Sequence, residues 1–527
     1  MNPQRSAERQ RQSGVEACLA RWELLRRPHR LEAGASGATL GRRLRGAFEE
    51  LGPVFSAFGF YLASRVDLLA VGDSLELAGL SDRVPPLPTG AVHERIVTEL
   101  GRPFANLFAD LETEPFESRL FLQAHRGRLA GGEPVIVRLV REDTAEEVEA
   151  DLELLPLAGE ALVAQGWTAP AVQDALDGFR QHLREQADLR SAIQDLDLLA
   201  GDAAVFSRLA VPAVFRDLTT ARLLTVADLG GVSLGQVAPA GSRELARSFC
   251  ALWWRQVLAG RLFPLDLGAE DVRVLPDGRI AFQGAAFARS TTALQADLRE
   301  GLVAVVYRDP DAACTALLRE MVREDGARSE EELRLRLRQI VPFRDGSWSP
   351  SGESLAEHLF LYARTARECG YRPRRPLLEL YRGLFAVALL SRRLAPGCDP
   401  LSEGLQEFRL LAGFSQVREA MSFDSWSGQL DRYALLMVSL PQRLDELLTR
   451  ASEEDARPVS PREGRAPRRA ESSHLVLAAA LMVMAALALL LHHFVQAGAL
   501  AGQGEKVSAT LFLVVGGLLL WALGRAR

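Results

Sequence analysis

The sequence predicts an α+β fold with helical additions at both ends. Three observations carry this expectation. First, residues 260–287, GRLFPLDLGAEDVRVLPDGRIAFQGAAF, hold a strand hairpin by pattern: Val272, Val274 and Leu275, then Pro276-Asp277-Gly278, then Ile280 and Phe282. Pro presets φ and Gly accepts positive φ, so this triplet between two apolar runs is a turn. Second, apolar residues recur at helical spacing elsewhere, as in Leu40, Leu44, Phe48 and Leu51, and the same period runs through residues 141–200 and 288–450. Third, two uncharged apolar runs, residues 475–495 and 507–523, lie near the end of the chain.

At 527 residues the chain is too long for one compact domain, and two or three units are expected. Its formal net charge of -6 leaves no basic footprint for nucleic acid. The 5 cysteines are scattered, with no C-x-x-C, which argues against a metal site or a disulfide framework and fits a reducing compartment. Lys506 is the single lysine; every other strong base is an arginine. At a phosphate-binding position the two differ, because a guanidinium is planar and forked where an ammonium is a compact point charge.

Residues 1–35 are rich in Arg and Gln and lack an apolar core stretch, so no signal peptide is expected. Residues 16–26 read as a short, solvated amphipathic helix. Residues 51–88 then read LGPVFSAFGFYLASRVDLLAVGDSLELAGLSDRVPPLP. This stretch resembles the UbiB/AarF family of atypical kinases, whose pattern runs L-G-P-T-F-I-K-F-G-Q-x-L-S-T-R-x-D-L-L and later L-x-D-x-V-P-P. Leu51, Gly52, Pro53, Phe55, Phe58, Gly59, Leu62, Ser64, Arg65, Asp67, Leu68 and Leu69 match, as do Leu80, Asp82, Val84, Pro85 and Pro86. The family's K-x-G-Q falls on Ala57-Phe58-Gly59-Phe60, so both polar members are missing.

The hairpin stretch resembles the same family's F-H-A-D-P-H-P-G-N-I-L-V, short turn, I-D-F-G. Asp266 stands on the catalytic-loop Asp, Asp271 on the metal-binding Asn, and Gly284-Ala285-Ala286 on D-F-G. Residues 114–126 lie over P-I-A-A-A-S-I-G-Q-V-H-R, with Gln123 and His125 matching. There the small-residue loop becomes Glu117-Ser118-Arg119-Leu120, and bulk with a carboxylate works against close phosphate approach. In the strand of residues 134–140, Arg138 takes the place of the nucleotide-pairing Lys. In residues 179–194 Glu185 and Ala192 match the family's helix motif, and Ala227 replaces the Glu near the hinge.

The resemblance implies a protein-kinase-like fold: a helical extension over residues 40–110, a small lobe over 111–233 and a large helical lobe over 234–450. A linker follows over 451–473, then an apolar hairpin over 474–525. Each apolar run is close to the ~20 residues that cross a bilayer. Arg462, Arg465, Arg468 and Arg469 before the pair, and Arg525 and Arg527 after it, put both flanks on the cytoplasmic side of a bacterial inner membrane.

Two functions follow from the resemblance. In the first the chain is a pseudokinase, a membrane-tethered scaffold or regulator in quinone-lipid (ubiquinone) metabolism, with no cofactor expected. Its partners would be the membrane, an isoprenoid or quinone lipid, or other membrane proteins. In the second it is an active atypical ATPase or kinase with ATP and Mg²⁺, Asp266 catalytic and Asp266 with Asp271 holding the metal. Arg138, Glu185 and Asp271 would line the degenerate nucleotide pocket. Arg138 and Glu185 are expected to form an ion pair between the small-lobe strand and its helix.

Overall fold

The computed structural model describes residues 3–25, 39–143, 145–186, 188–238, 242–283, 286–306, 308–340 and 354–406. The chain forms two units, Met1–Ser422 and Phe423–Arg527, and every described residue belongs to the first.

Five helices come first: α1 (Pro3–Arg21), α2 (Leu40–Leu51), α3 (Pro53–Ala63), α4 (Val71–Leu77) and α5 (Thr89–Leu100). The Thr39 side chain accepts from the Arg42 N–H at 3.3 Å and so starts α2. Pro53 opens α3, where its missing N–H costs nothing. α3 is apolar nearly all round and is accordingly buried, with Val54, Phe55, Phe58 and Leu62 inside. A Cβ on Gly59 would lie 2.6 Å from Phe48 Cδ2 and 2.3 Å from Leu80 Cδ1, so this contact of helices needs glycine. The N-terminal helix corrects the solvated reading. Val15, Cys18 and Leu19 are buried in the main core, because their stripe begins before residue 16, and α1 ends at Arg21.

Next come β1 (Phe108–Leu111), β2 (Glu117–Ser118), β3 (Leu122–Leu129) and β4 (Pro134–Val140). The expected helices follow as α6 (Ala145–Ala164), α7 (Ala169–Gln186) and α8 (Arg190–Ala203). β5 (Leu209–Ala210) and β6 (Leu223–Ala227) end this half. The antiparallel sheet runs β1-β3-β4-β6, with β2 also on β3. Alternation sends Val135, Val137 and Leu139 of β4 onto Val92 and Ile96 of α5, and Ile136 and Arg138 to the other face. The register aligns Glu117, Ala124, Arg138 and Leu224 in one row across β2, β3, β4 and β6. Residues paired in this way present their side chains on the same face.

The second half holds β7 (Val232–Ser233), α9 (Arg243–Ala259), β8 (Leu262–Pro264), β9 (Val272–Val274), β10 (Ile280–Phe282) and β11 (Phe287–Arg289). β9 and β10 are the expected hairpin, with Ile280 opposite Val274, Phe282 opposite Val272 and Gly278 at φ +81. Then come α10 (Thr292–Val306), α11 (Pro310–Arg319), β12 (Met321–Arg323), α12 (Glu330–Arg338), α13 (Leu355–Glu368), β13 (Tyr371–Pro373) and α14 (Arg375–Leu394). The β12–β13 ribbon interrupts a region read as helical, because strands of three residues leave no periodic signal. α9 is the central post: Trp253 and Trp254 are fully buried, and their indole N–H groups donate to Pro264 O at 3.3 Å and Leu401 O at 3.0 Å.

A chain of charges ties the first helices to this half. Arg65, 1% exposed, meets Asp67 through two bonds of 2.9 Å and Asp174 of α7 at 2.9 Å. Asp174 meets Arg372 of β13 at 3.3 Å, Arg372 lies 3.9 Å from Glu324, and Glu324 meets Arg367 of α13 at 2.7 Å. Among the described residues no helix is long and apolar enough to cross a membrane. The linker and the two apolar runs read as a hairpin lie outside the described residues.

Candidate functional site

A cleft of about 360 Å³ opens between the sheet and the β8–β11 segment, with α7, α8 and the start of α14 at its sides. That is within the usual ~300–1,000 Å³ of ligand sites. Leu122, Ile136, Leu224 and Val226 of the sheet face Leu265, Phe282 and Phe287 across it. Strand alternation places the sheet residues there, and the hairpin turn delivers Phe282 and Gln283.

Arg138, Glu185, Asp266 and Asp271 all line this cleft. Arg138 and Glu185 do not pair, which corrects the expected bridge. Arg138 Nη2 lies 3.6 Å from Glu117 Oε2, while Glu185 pairs with Arg375 of α14 at 2.7 Å and accepts from Gln181 at 2.9 Å. The register explains the choice. Only the small Ala124 separates Glu117 from Arg138 along their row, whereas Glu185 sits in the last turn of α7, within reach of the opening of α14.

Asp266 is held by Arg382 of α14: Nε donates to Oδ1 at 3.3 Å and Nη2 donates to Oδ2. His182 Nε2 lies 3.8 Å from Asp266 Oδ2. Burial alone would push this carboxyl up, but the Arg382 charge, helped by His182, keeps it below the usual range. Arg382 also donates to His182 Nδ1 at 3.0 Å. Burial, with Arg382 beside it, lowers His182 to about 4.

Asp271 spends its carboxylate on its own turn, where Oδ2 accepts the Gly268 N–H at 2.8 Å. Arg119 Nη2 lies 3.9 Å away. Burial pushes Asp271 up to about 6, and the nearby Glu117 adds to the push.

Among the described residues, all seven carboxylates on the cleft wall face an arginine. Glu117 has Arg119 at 2.8 Å, Asp188 has Arg190 at 2.9 Å, Asp195 has Arg289 at 3.5 Å and Glu379 has Arg375 at 2.7 Å. Glu185, Asp266 and Asp271 have Arg375, Arg382 and Arg119 as above. Among the described residues no three His, Cys, Asp or Glu side chains group to hold a metal ion. Gly284 and Ala285, which stand on the first two positions of D-F-G, lie outside the described residues.

Gln123 and His125, the two matches in β3, lie behind the cleft and are fully buried. Gln123 Oε1 accepts the Leu87 N–H at 2.8 Å, and its amide meets His125 Nε2 at 2.8 Å. His125 Nδ1 lies 2.7 Å from Glu112 O, so Nδ1 carries the proton and Nε2 accepts. The Pro-Pro stretch is fastened to the same sheet. The Val84 N–H donates to Ser118 O at 3.3 Å, and Arg141 Nη1 donates to Pro85 O at 2.6 Å and Ser118 Oγ at 2.9 Å.

Sequence reasoning missed Tyr61, Arg119, His182 and Arg382. Phe60 and Ala57, on the K-x-G-Q positions, pack against the main core. Their neighbour Tyr61 is the residue of α3 that reaches the site, stacked on His182 at 5.8 Å and covered by the Arg382 guanidinium at 5.4 Å. His182 stands one helical turn before Glu185, so it was findable on α7. Arg382 carries no local signal, being 116 residues from the carboxylate it binds.

The ABC1 atypical kinase-like domain family matches residues 79–317. Uncharacterized protein Rv0647c of Mycobacterium tuberculosis is 32% identical over 250 residues, 46% of this chain and 51% of that protein. The protein named Probable protein kinase UbiB of Marinobacter nauticus is 31% identical over 265 residues, 47% of this chain and 45% of that one. Its namesake from Shewanella piezotolerans is 29% identical over 253 residues, 46% and 45% of the two chains. The chain thus spans about half the length of the curated relatives it matches. Among solved structures, the complex of Rv3197 with erythromycin from Mycobacterium tuberculosis aligns at a TM-score of 0.36 and 17% identity, over 63% of this chain and 86% of that one. Residues 79–317 are thus an ABC1 atypical kinase-like domain, and with the UbiB homologues they support the UbiB/AarF family of atypical kinases.

Proposed function

We propose that this protein is a membrane-anchored pseudokinase that acts as a scaffold or regulator, within the quinone-lipid (ubiquinone) metabolism that its family suggests. One observation carries the reading: the acidic groups of the cleft are already neutralised by the protein's own arginines. Phosphoryl transfer depends on positioning and on charge neutralisation by Mg²⁺, which needs carboxylate oxygens open to it. Asp266 is closed on Arg382, Asp271 binds its own turn, and Gly284 replaces the D-F-G Asp in sequence. The donors present fit Mg²⁺–ATP poorly.

The membrane anchor is the pair of apolar runs at 475–495 and 507–523, with the kinase-like part on the cytoplasmic face. An isoprenoid or quinone lipid, or another membrane protein, is the partner such a tether would bring within reach.

The test is thermal unfolding of the detergent-purified protein with and without millimolar ATP and Mg²⁺. No shift is expected. Binding well below millimolar would stabilise the domain by mass action and overturn the reading. It would favour an active atypical ATPase or kinase, in which Asp266 and Asp271, both on the cleft wall, hold the metal.

A further inference from the structure

Two guanidinium groups converge on one carboxylate in the cleft. Arg119 Nε lies 2.8 Å from Glu117 Oε1, and Arg138 Nη2 lies 3.6 Å from Glu117 Oε2. Arg138 is 5% exposed, and among the described residues Glu117 is its one ion-pair partner. The fit is incomplete, because Glu117 Oε2 is buried and accepts no hydrogen bond among the described residues. Gln283 Nε2, a buried donor on the same cleft wall, has no acceptor among the described residues. A planar carboxylate with two oxygens leaves these donors under-used. A tetrahedral anion offers more acceptors, and a guanidinium pairs with either.

We propose that Glu117 is a built-in anion in the position of a ligand phosphate, and that it decides which ligands the cleft refuses. With Glu117 in place, a phosphate ester meets a carboxylate where it needs cations. Without it, Arg119 and Arg138 form an anion site. Two features hold Glu117 there. β2 pairs with β3 in a register that puts only Ala124 between Glu117 and Arg138, and the turn beyond β2 closes by the Arg119 N–H to Leu122 O bond at 2.8 Å. Asp271, 3.9 Å from Arg119, competes for that arginine. Arg138, the more buried of the two, is therefore the main anchor.

This inference rests on the pseudokinase reading, and its test separates the two. The probe is inorganic pyrophosphate, without divalent cations and against sodium chloride of equal ionic strength. It is added to the full chain in detergent, and binding and melting temperature are followed. Wild type should not respond. Glu117→Ala should melt lower than wild type and be raised by pyrophosphate, with affinity on the order of a hundredfold above wild type, since setting like charges together is strongly unfavourable. Glu117→Gln keeps the shape and removes the charge, and its response decides the matter if the alanine variant does not fold. Adding Arg138→Met to either should abolish the response. Glu117 variants that answer pyrophosphate no better than wild type would overturn the inference and leave the pseudokinase reading standing. Stabilisation of wild type by ATP with Mg²⁺ would overturn that reading instead.

Discussion

Arg382 of α14 closes on the carboxylate of Asp266, 116 residues earlier in the chain, with both Nε and Nη2 donating to it. The same guanidinium bonds His182 of α7 and covers the ring of Tyr61 of α3. Three helices and the loop after β8 therefore meet at one cation, and the residue that stands on a catalytic Asp is part of a structural joint.

Removing one partner of that joint should cost far more than removing both. Arg382 and Asp266 are mostly buried, so Arg382→Met strands a carboxylate and should destabilise by ~3–5 kcal/mol. Arg382→Met with Asp266→Leu should recover most of the loss. Urea unfolding of the two single variants and the double reads this directly, and additive losses would show that the pair is not coupled.

Arg138 should couple to Glu117 and not to Glu185, following the pairs in the structure. In double-mutant cycles, Arg138→Met with Glu117→Gln should be clearly non-additive. Arg138→Met with Glu185→Gln should add to within about 0.5 kcal/mol. The reverse pattern would restore the pair anticipated from the sequence.

Each buried neutral histidine should contribute less stability as the pH falls. Burial lowers His358 to about 4, and His182 moves to the same value. Between pH ~4 and ~6.5 each of these two sites then binds more protons in the unfolded chain than in the folded one, so the stability that each histidine contributes falls as pH falls through that window. Asp195 and Asp271, each pushed up to about 6 by burial, act in the opposite direction. Comparing His358→Phe with wild type isolates one group. The variant should lose roughly 2 kcal/mol less between pH 7 and pH 5, as read from urea midpoints. Parallel pH curves would mean that His358 does not titrate as its burial requires.

A reporter fused after Arg527 should be cytoplasmic. Arginines flank the two apolar runs on both outer sides, and two spans return the chain to the side it left. A periplasmic signal would mean that only one run spans.

The elements with long periods or strong turns were legible. α2 followed from Leu40, Leu44, Phe48 and Leu51, and the β9–β10 hairpin followed from Pro276-Asp277-Gly278. α6, α7 and α8 fall in the stretch read as helical. The β12–β13 ribbon was not legible, because three residues cannot display an alternation. The N-terminal helix was misread, since whether an amphipathic stripe meets a core depends on what lies opposite, here α2 and α6. Arg138, Glu185, Asp266 and Asp271 were named for the cleft, but their partners were not. Glu117 reaches Arg138 through strand register and Arg382 reaches Asp266 through tertiary packing, and neither relation leaves a mark on local sequence.

The charge chain that begins at Arg65, the Arg382–Asp266 pair and the Trp254–Leu401 bond bear on where this protein can be cut. The stretch that matches the family, residues 79–317, excludes Arg65, Asp67, Arg372, Arg382 and Leu401. An excised fragment with those limits would leave Asp174 and Asp266 without their arginines and the Trp254 indole without its acceptor. The stretch matched by the domain family is thus smaller than the stretch that these joints hold together. A truncation that reaches from α1 past Leu401 preserves these joints, and one trimmed to residues 79–317 does not.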